Sequence, residues 1–376
     1  MRERLANIYR LGVKELISLR YDLVLVLFII YLFTVAVYTV STGASTEVQH
    51  AAVAIVDEDH STLSRRITDS VLAPFFQPPA RLTVNEIDAA MDAGRYTFII
   101  DIPPHFQADV LAKRQPVVQV NVDATAMSQA GIGAGYLQGI LTRELLTFVQ
   151  RHEGEPEWPV NLVVRAKFNP NLKSSWFLAV MQIINNISLV AILLTGAALI
   201  REREHGTIEH LLVMPLRPIE IMLAKVWANG LVIIIAATLS LLLVVQKVLG
   251  VPIAGSLPLF LAGTIIYLFS VTALGIFLAT LARSMPQFGL LAFPVFIIMN
   301  LLSGGITPLD SMPELLQKLM QLSPSTHFVS LAQAILYRGA GFAVVWPEFV
   351  AVAAIGVVFF FSALLRFRKT VTMMQT

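Results

Sequence analysis

The sequence predicts a polytopic α-helical membrane protein with six transmembrane helices and an inserted α/β domain outside the cytoplasm. Three observations lead there. Of 376 residues, 56% are apolar and only 14% are charged, whereas soluble domains carry nearer a quarter charged residues. The apolar residues gather into six runs of roughly 15–25, five of them 18 or longer and so long enough to cross a hydrocarbon core of ~30 Å. One stretch, 41–172, breaks that pattern with 15 acidic and 10 basic residues; the remainder holds 10 acidic and 17 basic. The chain has no cysteine, which removes disulfides, cysteine zinc sites and cysteine nucleophiles.

Residues 1–22 are basic and periodic. Leu5, Ile8, Leu11 and Leu16 share a face, and Arg2, Arg4, Arg10, Lys14 and Arg20 line the rest, as in an interfacial amphipathic helix. The first span, 23–40, is uncharged. Its basic lead and its apolar run are both too long for a cleaved leader, and no A-x-A site follows. In 41–172, strands are expected at His50–Val56, Arg81–Val84, Tyr96–Ile102 and Pro116–Val122. Helices are expected at Ser61–Leu72, Glu86–Ala93, Phe106–Lys113 and Ala126–His152. Leu162–Phe168 reads as a last strand. Strands alternating with helices indicate a small α/β domain. The section 173–376 holds five more spans: Trp176–Ile200, about Ile221–Val245, Leu259–Leu281, Phe288–Leu302 (interrupted by Pro294) and Val344–Leu365. Between the last two, 303–337 is cut by Pro308, Pro313 and Pro324 into pieces too short to span. Leu315–Leu322 and Phe328–Leu336 read either as surface helices or as helices that dip into the membrane and return.

Charge sets the orientation. With a cytoplasmic N-terminus, 13 Lys and Arg residues flank the cytoplasmic ends of the spans, and only Lys247, Lys318 and Arg338 flank the short outer loops. The positive-inside rule therefore puts both termini in the cytoplasm and 41–172 outside. Lys225 counts here as a cytoplasmic flank, and the span interiors are read as free of ionisable residues. That argues against a proton- or ion-coupled carrier. The chain has no G-x-x-x-x-G-K-[ST] loop, so it is not itself an ATPase. His205 and His210 do not share a helical face and make no zinc pair. Gly131, Gly133, Gly135 and Gly139 fall on a helical stretch and read as close packing. A basic tail for nucleic acid is absent. Gln182, Asn185 and Asn186 in the second span, and Asn300 in the fifth, are costly in lipid. They face either a substrate path or neighbouring helices through hydrogen bonds.

Between the second and third spans lies a charged island, Arg201-Glu202-Arg203-Glu204-His205-Gly206-Thr207-Ile208-Glu209-His210-Leu211-Leu212-Val213-Met214-Pro215. Gly206-Thr207 can start a helix. Ile208, Leu211 and Leu212 give it one apolar face, and Pro215 and Pro218 stop it. Amphipathicity alone fits a connector resting on lipid. The full pattern, carried by Glu202, Glu204, Gly206, Thr207, Glu209, Leu211, Leu212 and Pro215, resembles the first cytoplasmic loop of the type-2 ABC exporter permeases. The resemblance extends over nearly the whole chain, including the basic helix ahead of the first span.

The resemblance implies several things. Residues 206–215 would be a coupling helix seated in a separate ABC ATPase subunit. ATP and Mg would be bound by that subunit, and this chain would bind no cofactor. A second permease chain, identical or related, would complete a passage lined by the second and fifth spans. Re-entrant helices would occupy 303–337. The expected function is export of a hydrophobic or amphipathic substrate, drug-like or lipid-like, across the inner membrane of a bacterium, in contact with membrane lipid. A large outer domain suits delivery to a periplasmic adaptor and an outer-membrane duct. Phe75 and Phe76, beside Pro74, Pro78 and Pro79, are the candidate adaptor surface, unless they cover the sheet edge. The competing reading is a membrane-anchored assembly or receptor protein that acts through its outer domain.

Overall fold

The computed structural model describes residues 2–43, 50–123, 127–153, 173–204 and 217–375. Contacts divide the chain into two units, Met1–Ala44 with Lys167–Thr376, and Ser45–Ala166. The first unit opens with α1 (Arg2–Tyr21). Asp22 ends it and caps the next helix, accepting the Leu25 amide at 3.1 Å; a carboxylate at that position satisfies an otherwise orphan helix donor. Helix α2 is Leu23–Gly43, with a π-helical turn at Leu32–Ala36.

The second unit contains β1 (Val53–Asp57), α3 (Thr62–Ser70), β2 (Ala80–Arg81), α4 (Ile87–Asp92), β3 (Phe98–Ile102), α5 (Phe106–Leu111), β4 (Gln119–Val122) and α6 (Met127–Glu153). The sheet order is β2-β1-β3-β4. Strand β1 is parallel to β2 and β3, and β4 is antiparallel to β3. Period-two alternation assigns the faces. Val53, Ile55, Phe98, Ile100 and Ile102 pack with Leu63 and Ile67 of α3 and Leu137 of α6. Ala54, Val56 and Ile99 pack with Ala90 of α4 on the other side. Both faces are thus covered, as parallel strands require. Strand β2 is shorter than expected because Thr83 turns the chain into a 3₁₀ segment, its amide and hydroxyl both donating to Glu86 at 2.8 Å. The expected strand at 162–168 lies outside the described residues. A methyl group on Gly133 would come within 2.3 Å of the Phe98 ring, so close packing explains that glycine; Gly131, Gly135 and Gly139 face open space, and there the packing expectation fails.

The two phenylalanines of the proline-rich loop separate. Phe76 is 0% exposed and meets Phe98 edge-on at 5.9 Å. The loop runs back along the sheet, with a bridge between Ala51 and Phe76 and the Ala51 amide donating to the Phe75 carbonyl at 3.0 Å. Phe76 is therefore core, which corrects its assignment to an adaptor surface. Phe75 stays partly exposed and rests on Tyr136 at 4.7 Å.

The first unit resumes with α7 (Ser174–Glu204), α8 (Pro218–Val248), α9 (Leu257–Leu281), α10 (Met285–Leu301), α11 (Glu314–Met320), α12 (Pro324–Leu336) and α13 (Phe342–Gln375). Among the described residues, five helices are long and apolar enough to cross a membrane: α2, α7, α8, α9 and Phe342–Arg368 of α13. Helix α10 has 17 residues and continues through Pro294 rather than breaking there. At a rise of ~1.5 Å per residue it covers about 25 Å. Helix α9 is central and packs on α7, α8, α12 and α13. A methyl group on its Gly275 would come within 2.7 Å of Thr195 Oγ1 and 2.9 Å of the Ile192 carbonyl. Glycine here lets two apolar helices approach backbone to backbone. Helix α12 is too short to span but is largely buried; its Phe328 stacks on Phe260 at 6.0 Å and on Tyr267 at 4.0 Å.

Helix α13 carries an ionisable residue that the apolar reading overlooked, Glu348. It is paired. His327 Nδ1 lies 2.6 Å from Glu348 Oε2, His327 Nε2 lies 2.8 Å from the Gln321 carbonyl, and Ser330 donates to Glu348 Oε1 at 3.2 Å. Both ring nitrogens face acceptors, which suits a doubly protonated imidazolium. The Glu348 hydrogen bond raises the His327 pKa above its ordinary 6.5, against the opposing effect of burial. A raised folded-state value contributes stability that is full below the unfolded pKa and is lost as pH rises through the folded one. The melting temperature of the purified chain is therefore expected to fall as pH rises above the ordinary histidine value of 6.5, and His327→Gln to flatten that dependence. In the sheet unit, Phe76→Ala should cost ~3–5 kcal/mol and Phe75→Ala about 1 kcal/mol or less, read as hydrogen exchange at β1 and β3.

Candidate functional site

Successive residues on a helix point about 100° apart. The four charged residues that end α7 therefore reach four directions, and each finds a different partner. Arg201 pairs with Asp22 at 3.3 Å, between α1 and α2. Glu202 meets Lys225 of α8 at 2.9 Å. Arg203 donates to the carbonyls of Ala279 and Ala282 at 2.8 and 2.6 Å, satisfying the last turn of α9 where cations are favoured. Glu204 accepts the Met285 amide at 3.0 Å, at the start of α10 where anions are favoured.

Lys225 is the centre of this arrangement. It is 2% exposed and also bonds Glu15 of α1 at 2.9 Å. One ammonium on α8 thus joins carboxylates from α1 and α7. This corrects the reading of Lys225 as a solvated flank charge: it lies inside α8, where that helix has passed beneath α1. The same contact is fixed by Trp227, whose indole donates to the Ile8 carbonyl at 3.1 Å and stacks on Tyr9 at 6.0 Å. A methyl group on Gly12 would come within 2.2 Å of that indole. Sequence reading missed Glu15, Lys225 and Trp227. The available signal was Gly12, since glycine inside a helix costs ~1 kcal/mol against alanine and so marks a close approach.

Of the expected coupling residues, Glu202 and Glu204 are described, and both engage their own chain. Gly206, Thr207, Glu209, Leu211, Leu212 and Pro215 lie outside the described residues. The span amides divide. Gln182 donates to Asn186 Oδ1 at 3.0 Å, and Asn186 donates to the Leu32 carbonyl at 2.6 Å. Leu32 opens the π-helical turn of α2, where the shifted register frees backbone groups. Asn186 therefore joins α7 to α2. Asn185, 9% exposed, faces elsewhere on α7. Asn300 on α10 keeps a buried amide oxygen with no partner among the described residues. The Ser188 hydroxyl of α7 and the Tyr267 hydroxyl of α9 lie 2.5 Å apart. Among the described residues, no group of His, Asp and Glu is placed to hold a metal ion.

Removing one partner of a buried ion cluster strands the others. Lys225→Met should cost ~3–5 kcal/mol. Adding Glu15→Gln and Glu202→Gln should recover most of the loss, because no uncompensated carboxylate then remains. Thermal unfolding followed by tryptophan fluorescence checks both outcomes.

Residues 22–365 match the family described as ABC-2 family transporter protein. The chain is 56% identical over 367 residues to the inner membrane transport permease YhhJ of Escherichia coli, covering 98% of each chain. It is 30% identical over 311 residues to the probable multidrug ABC transporter permease YbhR of the same organism, covering 81% of this chain and 82% of that one. With the probable multidrug ABC transporter permease YbhS, identity is 26% over 303 residues and 79% of each chain. The apolar helices and a match along nearly their whole length agree: the chain belongs to the ABC-2 family of transporters, as a multi-pass transport permease of the inner membrane.

Proposed function

We propose that the chain is the membrane half of an ATP-driven exporter, powered by a separate ABC ATPase that docks on residues 206–215. One observation carries this reading. The turn immediately before that segment is fastened to α8, α9, α10 and the α1–α2 junction at once. A push on the loop would be delivered to the whole cytoplasmic end of the bundle. A receptor acting through its outer unit would have no use for such a fastening. ATP and Mg belong on the partner subunit, and a second permease chain completes the passage.

In this reading α10 also crosses the membrane, as the fifth of six spans, both termini are cytoplasmic and the α/β unit is outside, in line with the distribution of Lys and Arg. Helices α11 and α12 are re-entrant. Asn185 and Asn300 are the amides left for a substrate path, since Gln182 and Asn186 are engaged with each other and with α2. Phe75 alone remains for an adaptor that leads to an outer-membrane duct. The substrate is hydrophobic or amphipathic, a class supported by the multidrug designation of two relatives.

Burial of two leucines is worth ~3–6 kcal/mol at most. Leu211→Asp with Leu212→Asp should therefore abolish co-purification of the ATPase while the amount of inserted permease is unchanged. Retention of the ATPase by that double variant would reject the docking role.

A further inference from the structure

A cavity of about 580 Å³ lies between α1, the first turns of α2 and the second half of α7. Its origin is in α2. From Leu23 to Tyr31 only Ile29 is buried, whereas past that point Leu32, Phe33, Ala36, Val37 and Ser41 all are. The first half of α2 therefore stands off from α7, and the cavity is the gap. Leu25, Phe28 and Ile29 line one wall, and Val190, Leu193 and Leu194 line the other. From Glu202, at the polar end, to Val190 the wall runs twelve residues along α7, roughly 18 Å. Such a shape takes a molecule with a small polar head and one apolar tail.

Charge balance specifies the head. At the polar end Lys14, Arg201 and Lys225 stand against Glu15, Asp22 and Glu202, so the net charge is zero. Arg201 is paired with Asp22 at 3.3 Å, and Lys225 with Glu15 and Glu202 at 2.9 Å each. Lys14 is exposed. A head of either sign would give up its water without net attraction from the site, whereas an uncharged polar head loses far less on burial. Asn229 supplies that head with an anchor. It lies one turn beyond Lys225 on the same face of α8, is 5% exposed, and lines the cavity. Its Nδ2 has no acceptor among the described residues. A buried amide donor left unmade is costly, and a hydroxyl or ester oxygen would satisfy it.

We propose that this cavity binds a single-tailed amphiphile with an uncharged polar head, its hydroxyl or ester oxygen accepting from Asn229 and its tail lying between α2 and α7. Use of the site to load substrate rests on the exporter reading above. Occupancy does not, and it is read on the permease alone.

The test uses the purified full chain in phosphatidylcholine nanodiscs. The probe is a monoacylglycerol with a photoactivatable group in its tail, alongside the matched acyl amine and acyl phosphate. Labelling is read at Phe28 and Val190–Leu194, relative to Val358 and Phe361 on the exposed face of α13. The monoacylglycerol is expected to exceed both charged analogues about fivefold. Asn229→Leu should lower its labelling at least about threefold. Ala197→Phe, midway along the α7 wall, fills the cavity and should lower it equally. Equal labelling by the three head groups, stronger labelling by the amine or the phosphate, or monoacylglycerol labelling that both variants leave unchanged overturns the proposal. The head-group comparison is made on the parent chain and decides the matter even where a variant fails to fold. Lipid extraction of the chain purified from its own membrane separates the sources. An uncharged lipid released in near-equal amount to the chain makes the occupant resident; its absence makes the occupant a guest amphiphile. The ATPase-docking variant leaves this readout untouched, so the two readings fail separately.

Discussion

The ammonium of Lys225 between Glu15 and Glu202 is the constraint on which the end of the bundle where α1, α7 and α8 meet depends. Moving charges from water into a low-dielectric interior is expensive, and Coulomb attraction offsets the cost only with good geometry. Here both contacts are 2.9 Å and the lysine is 2% exposed. Apolar residues of similar volume would pack α1, α7 and α8 at least as stably. What the ions add is register. An apolar α1 could slide along α8, whereas this one must hold Glu15 at Lys225 and Gly12 under Trp227.

The same requirement explains polar groups elsewhere in the helical unit. Without water, every backbone and side-chain polar atom needs an internal partner. Asn186 supplies one for the Leu32 carbonyl. Arg203 and Glu204 supply them at the facing ends of α9 and α10. Glu348 is answered by His327 and Ser330. The π-helical turn of α2 packs on a second π-helical segment, Ser240–Val248 of α8. Each irregular backbone stretch thereby has protein against one side, while Val35, Leu243 and Val248 stay exposed on the other.

These partnerships mark the boundary of what the sequence made legible. Run length alone located the five long helices, because crossing a hydrocarbon core is a local property of composition. Alternation found β1 and β3 for the same reason. The fate of Lys225 was not local. Its partner Glu15 stands 210 positions away, and nothing adjacent to Lys225 distinguishes a buried charge from a solvated flank. Glu348 was hidden in the same way by an otherwise apolar run. Phe75 and Phe76 failed as a pair because they close a turn: the Phe76 amide donates to the Leu72 carbonyl at 3.3 Å, Phe76 bridges Ala51 and enters the core, and Phe75 is left on the surface against Tyr136. The amides of α7 were correctly seen as needing partners, but only the π-helical turn of α2, invisible to hydropathy, shows which carbonyl Asn186 serves.

Helix α7 connects the two kinds of contact. It has 31 residues, about 46 Å at ~1.5 Å per residue. Its charged end is held by α8, α9, α10 and the α1–α2 junction, and its middle is bonded to α2 through Asn186 and to α9 through Ser188 and Tyr267. Close-packed interiors resist continuous deformation and favour discrete rearrangement. Under the exporter reading, a force on residues 206–215 therefore has two outcomes. Either the charged end moves as one body with its neighbours, or its ion pairs and caps separate together. Stretching them piecemeal would leave buried charges and carbonyls unmet, so the intermediate positions are the least stable. An end held in this all-or-none manner gives the bundle two states rather than a continuum, which is what coupling to a stepwise chemical cycle requires.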